Sequence, residues 1–194
     1  MCGRYRIDRN DDEMKTLLRG VGEVGPEIFP TQPAPVVAAH GKSPRLMLWG
    51  FPRRDEQGVL FNAPAETAAE QQLFREALYE RRAAVPTSGF FEWKDTGGSK
   101  KKDKYIFHDR PYGVLYLAGV YGTFYEKEYF AILTTVANDS VALYHSRMPV
   151  TLDADEVDEW LFGKEYAAFL GRVPKTVVGM LVCNDKENFP LNSK

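Results

Sequence analysis

GVLYLAGVYGTFYEKEYFAILTT, residues 113–135, decides the fold. Two runs within it, Gly113 to Tyr121 and Tyr129 to Thr135, are dense in branched and aromatic side chains, which suit a pleated, half-buried surface better than a crowded helix face. Turn residues separate them. Upstream, Ala83 to Val85, Gly89 to Trp93 and Lys104 to Phe107 repeat the pattern between further turn residues. This succession of short strands predicts a curved, barrel-like, mostly antiparallel sheet. Other strand signals lie at Cys2 to Ile7, Val36 to Ala39, Arg45 to Trp49 and Thr176 to Val182.

Helices are few and short. Asn10 with Glu13 reads as a capping box opening a helix through Leu17 and Leu18 that stops at Gly20. Thr67 with Glu70 reads as a second, followed by Leu73, Phe74, Ala77 and Leu78 along one face, and Asp153 with Glu156 as a third, stapled by Leu152 and Val157. The proline-rich Phe29 to Pro35 predicts irregular chain, because proline lacks the N–H that a helix interior or central strand requires. The expected class is α+β, with one domain over residues 1–194 built on the sheet and a few short flanking helices.

The chain has 194 residues, 44% of them hydrophobic, and a formal net charge of −2. That is enough apolar material for one well-cored domain, and the charge excludes a generic basic nucleic-acid coat. Any contact with nucleic acid must be local: Arg4, Arg6 and Arg9, Arg53-Arg54, Arg81-Arg82, or Lys100 to Lys102 with Lys104. No secretory leader or membrane span is evident, so a cytoplasmic protein is expected, with no membrane partner. Cys2 and Cys183 lack CxxC spacing, and His40, His108 and His145 are scattered, so no disulfide framework, no metal and no cofactor is expected.

Cys2 follows the initiator methionine. Removal of Met1 would leave one residue carrying a thiol and a free α-amine, two nucleophiles that can close a thiazolidine on a single aldehyde carbon. Three further segments place polar groups in strand-like surroundings: Asn62 in Phe61 to Thr67, Glu92 between Phe91 and Trp93, and His145 in Tyr144 to Pro149. A Glu92 that faced the interior would have a raised pKa and could trade protons near neutrality, where His145 also titrates. Thiol, carboxylate, imidazole and amide together can condense an amine with an aldehyde and manage the protons.

These segments, in this order, resemble the SRAP family, the SOS response-associated peptidase or abasic-site processing proteins. The resemblance rests on Met1-Cys2-Gly3-Arg4, the Asn62 to Thr67 segment, Gly89-Phe90-Phe91-Glu92-Trp93 and His145-Ser146-Arg147-Met148-Pro149, with support from Leu48 to Phe51 and Pro86 to Ser88. It implies a cleft for single-stranded DNA, removal of Met1, and a covalent thiazolidine cross-link between Cys2 and the ring-opened aldehyde of an abasic site. Carried over, Cys2 is the nucleophile, Asn62 positions amine and sugar, Glu92 is acid and base and serves removal of Met1, and His145 opens the sugar ring. A strand-cleaving lyase reaction competes with ring closure.

Arg4, by its place beside Cys2, and Arg147, by the family match, are the expected DNA contacts, and a monomer is expected. Trp49 is expected in the core. The chain departs from the family pattern at Pro64, where arginine is usual, at Ser146, where aspartate is common, and at Pro30, where asparagine often stands. Two other readings compete: a cysteine peptidase acting on other proteins, and a non-catalytic DNA-binding module. The leading reading requires Asn62, Glu92 and His145 to gather around the Cys2 sulfur in an open groove lined with cations.

Overall fold

Residues 113–135 contain the antiparallel turn around which the sheets are organised. The computed structural model describes residues 2–39, 41–53, 57–95, 97, 102–109 and 113–182, the Lys42 side chain apart. Met1, His40, Arg54, Lys100, Lys101 and Cys183 lie outside that description.

In chain order the strands are β1 (Tyr5–Arg6), β2 (Glu27–Ile28), β3 (Pro33–Ala38), β4 (Gly41–Trp49), β5 (Phe51–Pro52), β6 (Val59–Leu60), β7 (Asn62–Pro64) and β8 (Arg82–Thr87). They continue as β9 (Gly89–Lys94), β10 (Asp103–His108), β11 (Leu115–Phe124), β12 (Lys127–Val136), β13 (Arg147–Pro149), β14 (Thr151–Leu152) and β15 (Val178–Leu181). The helices are α1 (Asp12–Leu17), α2 (Ala65–Ala68), α3 (Gln72–Glu80), α4 (Asp139–Ala142), α5 (Val157–Phe162) and α6 (Ala167–Gly171).

Strands β12, β4, β3, β8 and β11 pair in that order, and β11 returns to β12, closing a five-stranded barrel. All of these pairings are antiparallel except β12 with β4. A second sheet, ordered β15-β10-β9-β1-β2, is antiparallel throughout. One apolar cluster joins the two sheets: Tyr5, Ile28, Phe90 and Phe107 from the second meet Trp49, Val85, Leu117, Phe130 and Ile132 from the barrel. Trp49 is buried there, with Tyr5 and Phe130 at ring-centroid distances of 5.0 and 6.2 Å. A second cluster holds the helices to the barrel through Phe74, Leu78, Trp160 and Phe169.

The α+β barrel-like sheet with short flanking helices is the architecture that the strand-rich pattern predicts. Three local expectations are corrected. The proline-rich stretch is not irregular throughout: Pro33 and Pro35 belong to β3, paired with Leu48 and Leu46 of β4. Strand β8 pairs only with Val37 and Ala38, so the prolines lie beyond the part of β3 that needs donors on that side. The cap of α1 is Asp11, which accepts the Met14 N–H, and not Asn10, while Glu13 accepts the N–H of Val114 instead of closing a capping box. Helix α3 begins at Gln72 without a side-chain cap, and the Thr67 hydroxyl accepts from the Gln71 amide. The box at Asp153 and Glu156 forms as read.

Candidate active site

Chain neighbours and strand register bring the chemistry-bearing segments to β9 and β12. Arg4 C=O accepts the Phe91 N–H at 2.9 Å, and Tyr5 pairs with Phe90, so the amino-terminal segment runs along β9. Gly89 starts β9 with φ +150, and a Cβ there would stand 2.8 Å from the Phe107 carbonyl oxygen, so the close approach of β9 to β10 depends on glycine. Strand β7 pairs with β12 through Asn62 and Ile132, and β13 pairs with β12 through Arg147 and Val136. One strand thus carries the Asn62 and His145 segments at a fixed separation.

The Asn62 amide donates to the Cys2 C=O at 2.8 Å, and its own Oδ1 is buried with no hydrogen-bond partner among the described residues. Glu92 is 3% exposed. Burial lifts its pKa from 4.5 to about 7. Burial also pushes the Cys2 thiol well above its usual range, and the Glu92 carboxylate adds to the rise. Cys2 Sγ–H points to the Arg4 C=O at 3.7 Å. For His145, burial lowers the pKa, and the charges of Lys102 and Arg147 act in the same direction. His145 Nδ1 lies 2.9 Å from the Arg147 backbone nitrogen and 3.1 Å from the Arg147 carbonyl oxygen, so the Arg147 backbone engages that nitrogen in either tautomer.

Asn62 is therefore hydrogen-bonded to Cys2, and the Glu92 charge acts on the Cys2 thiol. The residue before His145, Tyr144, packs on Tyr105 and Phe107 of β10 at 4.5 and 5.0 Å. The expected open groove does not extend to the sulfur. Cys2 has no exposed surface, because Tyr5, Trp49 and their neighbours enclose it in the joint core of the two sheets.

Both expected DNA cations are engaged with carboxylates. Arg4 pairs with Glu27 at 3.3 Å and stacks on Phe29 and Trp93, 4.1 and 5.0 Å from their centroids. Arg147 grips both oxygens of Glu66 at 2.9 Å and also donates to the Thr134 C=O. Glu66 lies in the Asn62 to Thr67 segment, but its partner is 81 residues away, and sequence reading assigned it no role. Tyr144 and Lys94 were likewise assigned no role; the structure sets the Lys94 ammonium 5.2 Å from the Tyr144 ring centroid, and the period-two alternation of β9 puts Lys94 on the same face as Glu92. Among the described residues no cluster of three or more His, Cys, Asp or Glu side chains could hold a metal ion. Nor is any helix there long and apolar enough to cross a membrane. A groove of about 960 Å³, lined by Phe51, Arg53, Leu73, Arg81, Phe124 and Tyr125 among others, includes none of the six candidate residues.

A family model described as SOS response associated peptidase (SRAP) matches residues 1–178. The chain is 27% identical over 180 residues to abasic site processing protein YoaM of Bacillus subtilis (strain 168), covering 83% of this chain and 79% of that one. It is 26% identical over 181 residues to abasic site processing protein YedK of Escherichia coli (strain K12), again covering 83% and 79%. A crystal structure of a Bacteroides thetaiotaomicron protein shares the fold with a TM-score of 0.79, 22% identity, and coverage of 95% of this chain and 93% of that one. A match of this extent, over the barrel, the second sheet and the segments of Cys2, Asn62, Glu92 and His145, means that the chain belongs to the SOS response associated peptidase (SRAP) family.

Proposed function

We propose that this protein recognises abasic sites in single-stranded DNA and captures them covalently through Cys2. The observation that carries the reading is the Asn62 amide on the Cys2 carbonyl, with the buried carboxyl of Glu92, whose pKa burial raises to about 7, in electrostatic reach of the thiol. Such a group gives and takes protons at the pH of the cell. The relatives named abasic site processing proteins supply the substrate class.

Hydrolysis of the Met1–Cys2 peptide bond, with Glu92 as base toward the attacking water, frees the Cys2 amine. His145 donates a proton to the sugar ring oxygen as the C1′–O4′ bond breaks, and the C1′ hydroxyl gives up its proton to water to leave the aldehyde. The amine attacks C1′, Glu92 protonates the departing hydroxyl, and water leaves to give an imine. Sγ then bonds to the imine carbon while its proton ends on nitrogen, closing the thiazolidine. The Asn62 amide, held on the Cys2 carbonyl, fixes the attacking residue in place. The imine also acidifies the C2′ proton, so β-elimination and strand cleavage compete until sulfur closes the ring.

Incubation with single-stranded DNA carrying an abasic site is expected to give a denaturation-resistant adduct on a gel, and Cys2→Ala to give none. A stable adduct with Cys2→Ala would remove the thiazolidine route. Because the sulfur is enclosed, a non-catalytic DNA-binding module is the second reading, and salt-sensitive binding by the mature protein without any adduct would establish it.

A further inference from the structure

We infer that Lys94 is a phosphate-binding residue of this site, contacting the DNA backbone on the Glu92 and His145 side. The inference rests on the proposed DNA capture and deepens it by naming the cation that sequence proximity did not select.

The argument starts from the two faces of β9. Successive side chains of a strand alternate, so Phe90, Glu92 and Lys94 share one face and Phe91 and Trp93 the other. Register with β10 sets Phe107, Tyr105 and Asp103 opposite Phe90, Glu92 and Lys94. Tyr144 lies across this first face, on Tyr105 and Phe107, and the Lys94 ammonium stands 5.2 Å from the Tyr144 ring centroid. Lys94 is thus one strand repeat, about 7 Å, beyond Glu92, and its ammonium rests on the residue that precedes His145. It occupies the rim of the face on which the proposed chemistry takes place.

Arg4 and Lys104 are placed differently. Arg4 stacks on Trp93, and Lys104 stands 4.1 Å over Phe91, both side chains of the second face of β9. Both cations pair with the same carboxylate, Glu27. Arg147 is held at two points by Glu66. Each of these three would have to leave a carboxylate to meet a phosphate. Among the described residues Lys94 has no carboxylate within ion-pair distance: Asp103 faces it across the strands but does not close on it. Lys102, 4.0 Å from Asp95 and more than half exposed, adds positive charge near His145.

The test uses the full chain and a labelled single-stranded oligonucleotide bearing a tetrahydrofuran abasic analogue, which has no aldehyde and so binds without cross-linking. Fluorescence anisotropy over a salt series gives the slope of log K against log salt. Each phosphate contact on a single strand contributes about 0.7 to that slope. Lys94→Ala and Lys94→Gln are expected to reduce its magnitude by about 0.7 and weaken binding several-fold at low salt, while Lys94→Arg keeps it and Lys127→Ala, remote on β12, leaves it unchanged. A Lys94→Ala slope equal to that of the parent overturns the inference and leaves the proposed function standing. A parent protein with no salt-dependent binding overturns both.

Discussion

Burial in an apolar enclosure disfavours the charge of Glu92 and raises its pKa to about 7. The sign of the stability effect follows. Between 4.5 and about 7 the folded chain holds a proton that the unfolded chain has released, so stability falls as pH rises through that window. The cost is complete above it and reaches at most about 3 kcal/mol. Chemical denaturation should therefore show Glu92→Gln gaining on the parent by up to about 3 kcal/mol between pH 4.5 and pH 8. Function should move the other way: adduct formation in Glu92→Gln is expected to slow by about a hundredfold or more and to lose its inflection near pH 7. Intact mass would show Met1 retained in Glu92→Gln and lost in the parent; retention in neither assigns removal to a separate aminopeptidase.

Among the elements, α3 and α5 end on a single cation. Arg82 is 5% exposed and donates five hydrogen bonds, between 2.5 and 3.2 Å, to the carbonyls of Leu78, Tyr79, Trp160, Leu161 and Gly163. These are carbonyls that a helix cannot satisfy internally, at the negative ends of two helix dipoles. Arg82→Met leaves them buried and unpaired, and equilibrium denaturation should show a loss of about 3 kcal/mol or more. Arg82→Lys should recover only part of it, since an ammonium cannot spread five donors over two helix ends. The sequence made Arg82 look like one half of a local Arg81-Arg82 patch for nucleic acid, because three of its five acceptors, on Trp160, Leu161 and Gly163, lie some 80 positions away and leave no local trace. The Asp153 box was legible because cap and partner are three residues apart. The proline strand was not, because whether a missing N–H matters depends on where β8 stops. For the site, residue types and order pointed to Cys2, Asn62, Glu92 and His145. Which face of β9 each cation occupies emerged only with the register.

In the whole molecule, closure of the barrel depends on the seam between β11 and β12. Gly119 faces Ile132 there, and a Cβ would stand 2.7 Å from the Ala131 carbonyl oxygen, a contact with rigid backbone on both sides. Gly119→Ala should lower the unfolding midpoint, with a cost of about 1–3 kcal/mol. It should also slow adduct formation, because β12 carries both the Asn62 strand and the Arg147 strand, and a shift in its path separates Asn62 from His145.

The enclosed sulfur has a consequence for the life of the molecule. Peroxide, disulfide and heavy-metal ions spoil a thiol only by touching it, and that of Cys2 has no surface to touch. If Cys2 captures DNA as proposed, its thiol is stored shielded from oxidative wear, and reactivity begins with hydrolysis of one amide bond and not with a change in the redox balance of its surroundings.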